Sequence, residues 1–212
     1  MSEKKPKIIF VCTGNTCRSP MAEMLLKEAL KGFSLQGITV SSAGVRAKRG
    51  DTINPKSVQV LAEYGIVAGD FKSKKLNDKM LREAYAIVCM TEEQRDYLLD
   101  ARWNALKKQG IEAEENNVYS FAEITGYEVP DPYGRDIDAY RYVFGLLAKG
   151  MALLIEKLGL RSVAKQPKKR GRPKKSGTPK KTVNVENIKN TQNAETQEVA
   201  GQKTKQLNIF GE

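Results

Sequence analysis

The chain of 212 residues carries 36 Lys and Arg against 25 Asp and Glu, a formal net charge of +11, with 40% hydrophobic residues, 7% aromatic residues and no histidine. It has room for one ordinary domain and some excess, and it lacks both histidine and any Cys, Asp and Glu cluster at metal-ligand spacing; no metal or cofactor is expected, nor a histidine-assisted nucleophile. From Arg161 onward about 13 basic residues face 4 acidic ones, so the charge belongs to the end of the chain and the rest is nearly neutral. No stretch approaches the roughly 20 apolar residues that span a bilayer. The opening MSEKKPKIIFVC has too short an apolar run for a secretory signal, so a cytoplasmic protein without membrane contact is expected. Three cysteines, two of them close together, do not make a disulfide framework.

In chain order, KIIFVC (Lys7 to Cys12) is an apolar, β-branched run suited to a buried parallel strand. A loop follows, and then a helix with Ser19 expected as N-cap, Pro20 at the first helical position and Glu23 as an acid in the first turn. ITVSSAG reads as a second strand closed by Gly44, and PKSVQVLAEYGI as a helix running from Pro55 to a stop at Gly65. AYAIVCM is a third strand, Thr91 caps the helix EEQRDYLLDARW, and NVYSF is a fourth strand. After GYEVPDPYGRDI comes a long helix, in which Ile137, Tyr140, Phe144, Leu147, Met151, Leu154, Ile155 and Leu158 keep three-to-four spacing until Gly159. Strands alternating with helices predict an α/β fold: a central parallel four-stranded sheet flanked by helices on both faces, with a phosphate loop after the first strand. Residues 1–162 form the expected domain. Residues 163–212 have almost no aromatic residues and cannot bury enough apolar surface to order themselves, so a disordered basic tail is expected there.

The stretch VCTGNTCRSPMAE (residues 11–23) holds the pattern C-x5-R, from Cys12 to Arg18. Between a strand and a helix, the N–H groups of Thr13, Gly14, Asn15, Thr16 and Cys17 can turn inward as an anion nest, and Arg18 adds a planar fork suited to two phosphate oxygens. A cysteine facing that nest has its thiolate stabilised by the same donors. The pattern thus places a nucleophile under a phosphate-shaped cradle; the plain alternative is a packed strand cysteine followed by a turn.

With DPYG at 131–134 and, between the two, SSAG and AIVCMTEEQ, this stretch resembles the phosphate loop of the low-molecular-weight protein tyrosine phosphatases, over roughly the first three quarters of the chain. The resemblance implies that Cys12 attacks phosphorus and becomes a phosphocysteine, while Arg18 and the loop amides hold the phosphoryl oxygens. It implies that Asp131, kept extended by Pro132, protonates the leaving group and then activates water. Asn15 and Ser42 would hold the loop, Ser19 would hydrogen-bond the Cys12 thiolate, and Tyr133 would wall the pocket. Cys17 would form a reversible disulfide with Cys12 or else be a small loop residue, and Cys89 is a core residue.

At Thr16 tyrosine-directed members usually carry isoleucine. A threonine there, with Gly134 after the acid motif, resembles the bacterial branch that acts on phosphoarginine, whose leaving group is a polar guanidinium. A phosphorylated protein is therefore the expected partner, phosphoarginine the favoured substrate and phosphotyrosine the alternative. Arsenate reductases share the fold and loop, but their chemistry needs further cysteines, and only Cys89 lies beyond the loop.

In the tail, KKRGRPKK, with core Arg170, Gly171, Arg172 and Pro173, resembles an AT-hook for the minor groove of A·T-rich DNA, which would bring nucleoid association. It reads equally as a solubilising linker or a general polycation. QLNIF, with Gln206, Leu207, Ile209 and Phe210, resembles the bacterial sliding-clamp-binding peptide, or is a frayed end or a segment folded back on the domain. These features leave open a function of another class, a DNA- or clamp-tethered scaffold.

Overall fold

The computed structural model describes residues 5–112 and 116–164, so the expected tail motifs at 170–173 and 206–210 lie outside the described residues. The strands β1 (Lys7–Cys12), β2 (Thr39–Gly44), β3 (Ala86–Cys89) and β4 (Val118–Ser120) form one parallel sheet in the order β2-β1-β3-β4. The helices are α1 (Arg18–Gly32), α2 (Pro55–Glu63), α3 (Asp78–Glu83), α4 (Glu92–Lys107), α5 (Phe121–Thr125), α6 (Ile137–Lys157) and α7 (Leu160–Val163).

Strand alternation sorts the core. Ile9 and Val11 of β1 join Ala43, Ile87, Cys89 and Val118 on one face, packed against Leu81 of α3 and Leu98 and Ala105 of α4. Ile8 and Phe10 point to the opposite face, where α1 packs against β1, β2 and α6. Gly150 of α6 lets α5 approach closely, since a Cβ there would stand 2.4 Å from Phe121 Cζ. The chain leaves β1 toward β2 on one side and leaves β3 toward β4 on the other. The carboxyl ends of β1 and β3 therefore flank the topological switch point, where open α/β sheets bind their ligands. Cys12 is the last residue of β1 at that point.

The expected strands all form, and Thr91 caps α4 by accepting from Gln94 N at 3.3 Å. Asn54 and Asp136 cap α2 and α6 in the same way. Three expectations about α1 are corrected. Its N-cap is Cys17, without a side-chain cap bond, Pro20 is its third residue and not its first, and its first turn contains no acid. Ser19 and Glu23 lie buried inside the helix, where both are hydrogen-bonded to the segment around Cys12 and β2. The short helices α3 and α5 were not expected; α5 starts directly from β4 through a capping box of Ser120 and Glu123. Among the described residues no helix is long and apolar enough to cross a membrane.

Candidate active site

The loop after β1 closes over the Cys12 thiol, which is 2% exposed. Asn15 N donates to Sγ at 3.3 Å, and Ser19 Oγ lies 3.0 Å from it. The loop owes its curvature to Asn15, which is buried and holds a φ of +55°, in the left-handed region that Asn tolerates better than most residues. Its side chain locks that conformation: Nδ2 donates to Ser19 Oγ at 2.9 Å and to Ser42 Oγ at 2.8 Å, and Oδ1 accepts from Lys74 N at 2.8 Å. Ser42 Oγ in turn donates to Glu23 Oε2 at 2.6 Å, while Glu23 Oε1 pairs with Lys27 Nζ at 2.5 Å. Both oxygens of this buried side chain are thus engaged, one of them by a cation. Gly44, at the end of β2, completes the brace, for a Cβ there would stand 2.6 Å from Thr13 O and 2.8 Å from Asn15 N.

Arg18 is 4% exposed and reaches across to the loop at 129–135. Nη2 pairs with Asp131 Oδ2 at 2.5 Å and Nη1 donates to Val129 O at 3.4 Å. Asp131 Oδ1 accepts from Tyr133 N at 3.2 Å, an Asx-turn that aims the carboxylate. Arg135 N closes the turn onto Pro132 O at 3.0 Å, and Gly134 sits at its third position with a φ of +79°, the value a type II turn requires there. Tyr133 is 72% exposed beside the acid.

Cys17 lies under the loop, its Sγ 3.5 Å from Tyr140 Oη and 3.7 Å from Thr16 Oγ1. Burial pushes its thiol above the usual range, and burial likewise raises the Tyr140 phenol. Thr16 is half-buried, its carbonyl accepts from Asn54 N at 2.9 Å, and its Oγ1 would stand 3.5 Å from a Cβ on Gly14. Gln94 Nε2 donates to Thr13 Oγ1 at 3.2 Å, tying α4 to the loop. Cys89 is fully buried in the core and its thiol is pushed up to about 12, chiefly by burial, which makes it an inert packing residue. A cleft of about 310 Å³ borders the loop at Thr13, lined also by Val45, Arg46, Glu93, Gln94 and Tyr97. A second, of about 280 Å³, borders the acid at Asp131 and Pro132.

Cys12, Asn15, Ser19 and Ser42 thus form one hydrogen-bonded group from β1, α1 and β2, and Arg18, at the end of the same loop, forms a second with Asp131 of the 129–135 loop. Sequence reasoning missed Glu23, Lys27, Gln94 and Tyr140, which support the loop after β1. A carboxylate between Ala22 and Met24 on an otherwise apolar stretch of helix was the one usable signal.

The family model "Low molecular weight phosphotyrosine protein phosphatase" matches residues 7–166. A protein-arginine-phosphatase of Geobacillus stearothermophilus is 34% identical over 152 residues, 72% of this chain and 95% of that one. The low molecular weight protein-tyrosine-phosphatase PtpB of Staphylococcus haemolyticus is 32% identical over 144 residues, 65% of this chain and 89% of that one. Among solved structures, a cysteine-to-serine mutant of the YwlE arginine phosphatase with a phosphorylated active-site serine superposes with a TM-score of 0.63 at 31% identity, covering 72% of this chain and 95% of that one.

Proposed function

The chain belongs to the low molecular weight phosphotyrosine protein phosphatase family, and from that premise we propose that it dephosphorylates phosphoarginine in proteins through a phosphocysteine. The observation that carries the chemistry is the meeting of Cys12, with a loop amide and a hydroxyl on its sulfur, and an Arg18–Asp131 pair at 2.5 Å. The Cys12 thiolate attacks phosphorus in line, forming an S–P bond as the P–N bond to the guanidinium breaks, and Asp131 gives its proton to the departing nitrogen. Water then attacks the phosphocysteine and passes a proton back to Asp131; the S–P bond breaks, and phosphate leaves. The loop amides and Arg18 hold the equatorial oxygens, and Ser19 turns its proton toward the thiolate. A bound phosphoryl dianion competes with Asp131 for the Arg18 fork, so substrate binding releases the carboxyl for its role.

The substrate class rests on Thr16, which sets a hydroxyl beside the loop where an apolar side chain would favour a phenyl ring. Relatives named protein-arginine-phosphatase support it, and relatives named tyrosine phosphatase at comparable identity keep phosphotyrosine as the second reading. Gly134 carries no preference between the two substrates, because its backbone conformation alone accounts for a glycine there. Tyr133 forms the outer wall. Cys17 is assigned to redox protection: a peroxide oxidises Cys12 to a sulfenic acid, which condenses with the Cys17 thiol, losing water, to a disulfide.

The test is turnover of free phosphoarginine and phosphotyrosine side by side, with Cys12→Ser as control. Preference for phosphoarginine, lost in the control and moved toward phosphotyrosine by Thr16→Ile, supports the reading. Preference for phosphotyrosine in the unchanged chain keeps the mechanism and removes the substrate claim. We place the end of the phosphatase domain near residue 162 and assign recruitment, to A·T-rich DNA or a sliding clamp, to the sequence after it. DNA affinity that falls steeply with salt and is lost on truncation there, with small-substrate turnover kept, is the expected result.

A further inference from the structure

Beside the phosphate loop lies a charged rim that the chemistry above does not use. It is made of two segments, residues 44–51 and 72–76. Gly44 N donates to Lys74 O at 2.9 Å, Leu76 N to Gly44 O at 3.0 Å, Gly50 N to Ser73 O at 3.1 Å and Ser73 N to Asp51 O at 2.8 Å. Ser73 is buried between them, and its hydroxyl donates to Lys48 O. The rim is fastened to the loop by Arg46 N, which donates to Thr13 O at 2.9 Å, and by Lys74 N, which donates to Asn15 Oδ1 at 2.8 Å.

It presents Arg46, Lys48, Arg49, Lys72, Lys74 and Lys75, all exposed, and among the described residues none of them forms an ion pair. Asp51 and Asp70 are the acids nearest in sequence. Elsewhere on the surface, cations such as Lys31, Arg95 and Arg141 are paired with neighbouring carboxylates. Like charges left unpaired and held together by a braced backbone repel one another, and an anionic partner relieves that repulsion.

We propose that this rim docks acidic residues flanking the phosphorylated residue of a protein substrate. The inference rests on the reading of the site as a protein phosphatase. A phosphoresidue seated over Cys12 carries its neighbours outward at roughly 3.3–3.6 Å per residue, so positions a few residues away lie over a rim bonded directly to the loop. The cleft of about 310 Å³ beside Thr13 and Arg46 admits side chains of one extended polypeptide, with Val45 and Tyr97 for apolar contact. Glu93 lines the same cleft, so the cleft takes neutral or apolar side chains and the acidic ones fall on the Lys and Arg rim outside it.

The test uses two phosphopeptides that differ only in acidic or neutral flanks and carry whichever phosphoresidue the chain hydrolyses best as a free amino acid. Affinity is read with the Cys12→Ser chain and kcat/KM with the unchanged chain. Three exposed pairs at about twofold each predict roughly an eightfold advantage for the acidic peptide at low salt, shrinking as salt rises. Replacing Lys48, Arg49 and Lys72 together by Gln should erase that advantage and leave turnover of the free phosphoamino acid unchanged. Equal affinity for the two peptides, or an advantage that survives the triple replacement, overturns the proposal. So does a short DNA or RNA that competes in the unchanged chain but not in the triple variant while the peptides are bound alike. An affinity advantage lost in the triple variant, together with no turnover of any free phosphoamino acid, keeps the docking surface and removes the phosphatase reading instead.

Discussion

The loop at 12–18 and the loop at 129–135 meet through Arg18, which pairs with Asp131 and donates to Val129 O, yet they are held in opposite ways. In the first, Cys12, Asn15 and Ser19 are buried, Asn15 spends every polar atom of its side chain on the brace, and Ser42, Glu23 and Lys27 stand behind it. In the second, the Asp131 side chain is 49% exposed and is kept in place by one Asx bond, one glycine-dependent turn and the Arg18 pair. The mechanism proposed above accounts for the difference. Donors that stabilise a transferring phosphoryl group must be in position before it arrives, whereas an acid that exchanges partners within each cycle cannot be locked.

Replacing Asp131 is the sharpest way to break that comparison. Asp131→Asn keeps the side-chain shape and one acceptor oxygen, enough for Tyr133 N or for Arg18 but not for both, and has no acidic proton to give. Turnover of substrates with poor leaving groups should fall by about 10²–10⁴-fold, with a much smaller loss on an activated aryl phosphate whose leaving group needs no proton. Equal losses on both would remove the acid role. On the braced side, Gly44→Ala drives a Cβ into the loop backbone at Thr13 and Asn15. About 1–3 kcal/mol of stability and at least tenfold in kcat should go together, measured by denaturant unfolding and steady-state kinetics. Glu23→Gln preserves the shape and removes the buried charge that Lys27 and Ser42 both contact. About 1–2 kcal/mol of destabilisation is expected, and a double-mutant cycle with Ser42→Ala should show coupling. Additive effects in that cycle would mean that Glu23 does not brace the loop through Ser42.

The same contrast explains what the sequence disclosed. Lys7 to Cys12, the capping Thr91 and the periodic Ile137–Lys157 helix were legible because strand composition, cap chemistry and three-to-four spacing are local signals. Helices of six and five residues, α3 and α5, are too short to display a period. Cys12 and Arg18 stood out through their spacing on one loop. The pairing of Arg18 with Asp131, 113 positions away, leaves no local trace, and neither does the use of Glu23 by Ser42, 19 positions away. Ser19 was legible as a polar residue at a helix start, but its hydroxyl lies against the Cys12 thiol and Ala43 O, not the helix end: an N-cap needs the residue just outside the helix, and the chain is already helical from Arg18.

The smallest effect separates conformation from specificity at the acid loop. Gly134 meets nothing that a Cβ would strike, so its only demand for glycine is its φ of +79°. Gly134→Ala should therefore cost about 1 kcal/mol through the turn. It should lower turnover of phosphoarginine and phosphotyrosine by the same factor, since a displaced Asp131 serves neither leaving group. Thr16→Ile, on the rigid side, should change the ratio between the two substrates with little change in stability. If Gly134→Ala shifts that ratio instead, the acid loop reads the leaving group as well as protonating it, and the division of labour between the two loops fails.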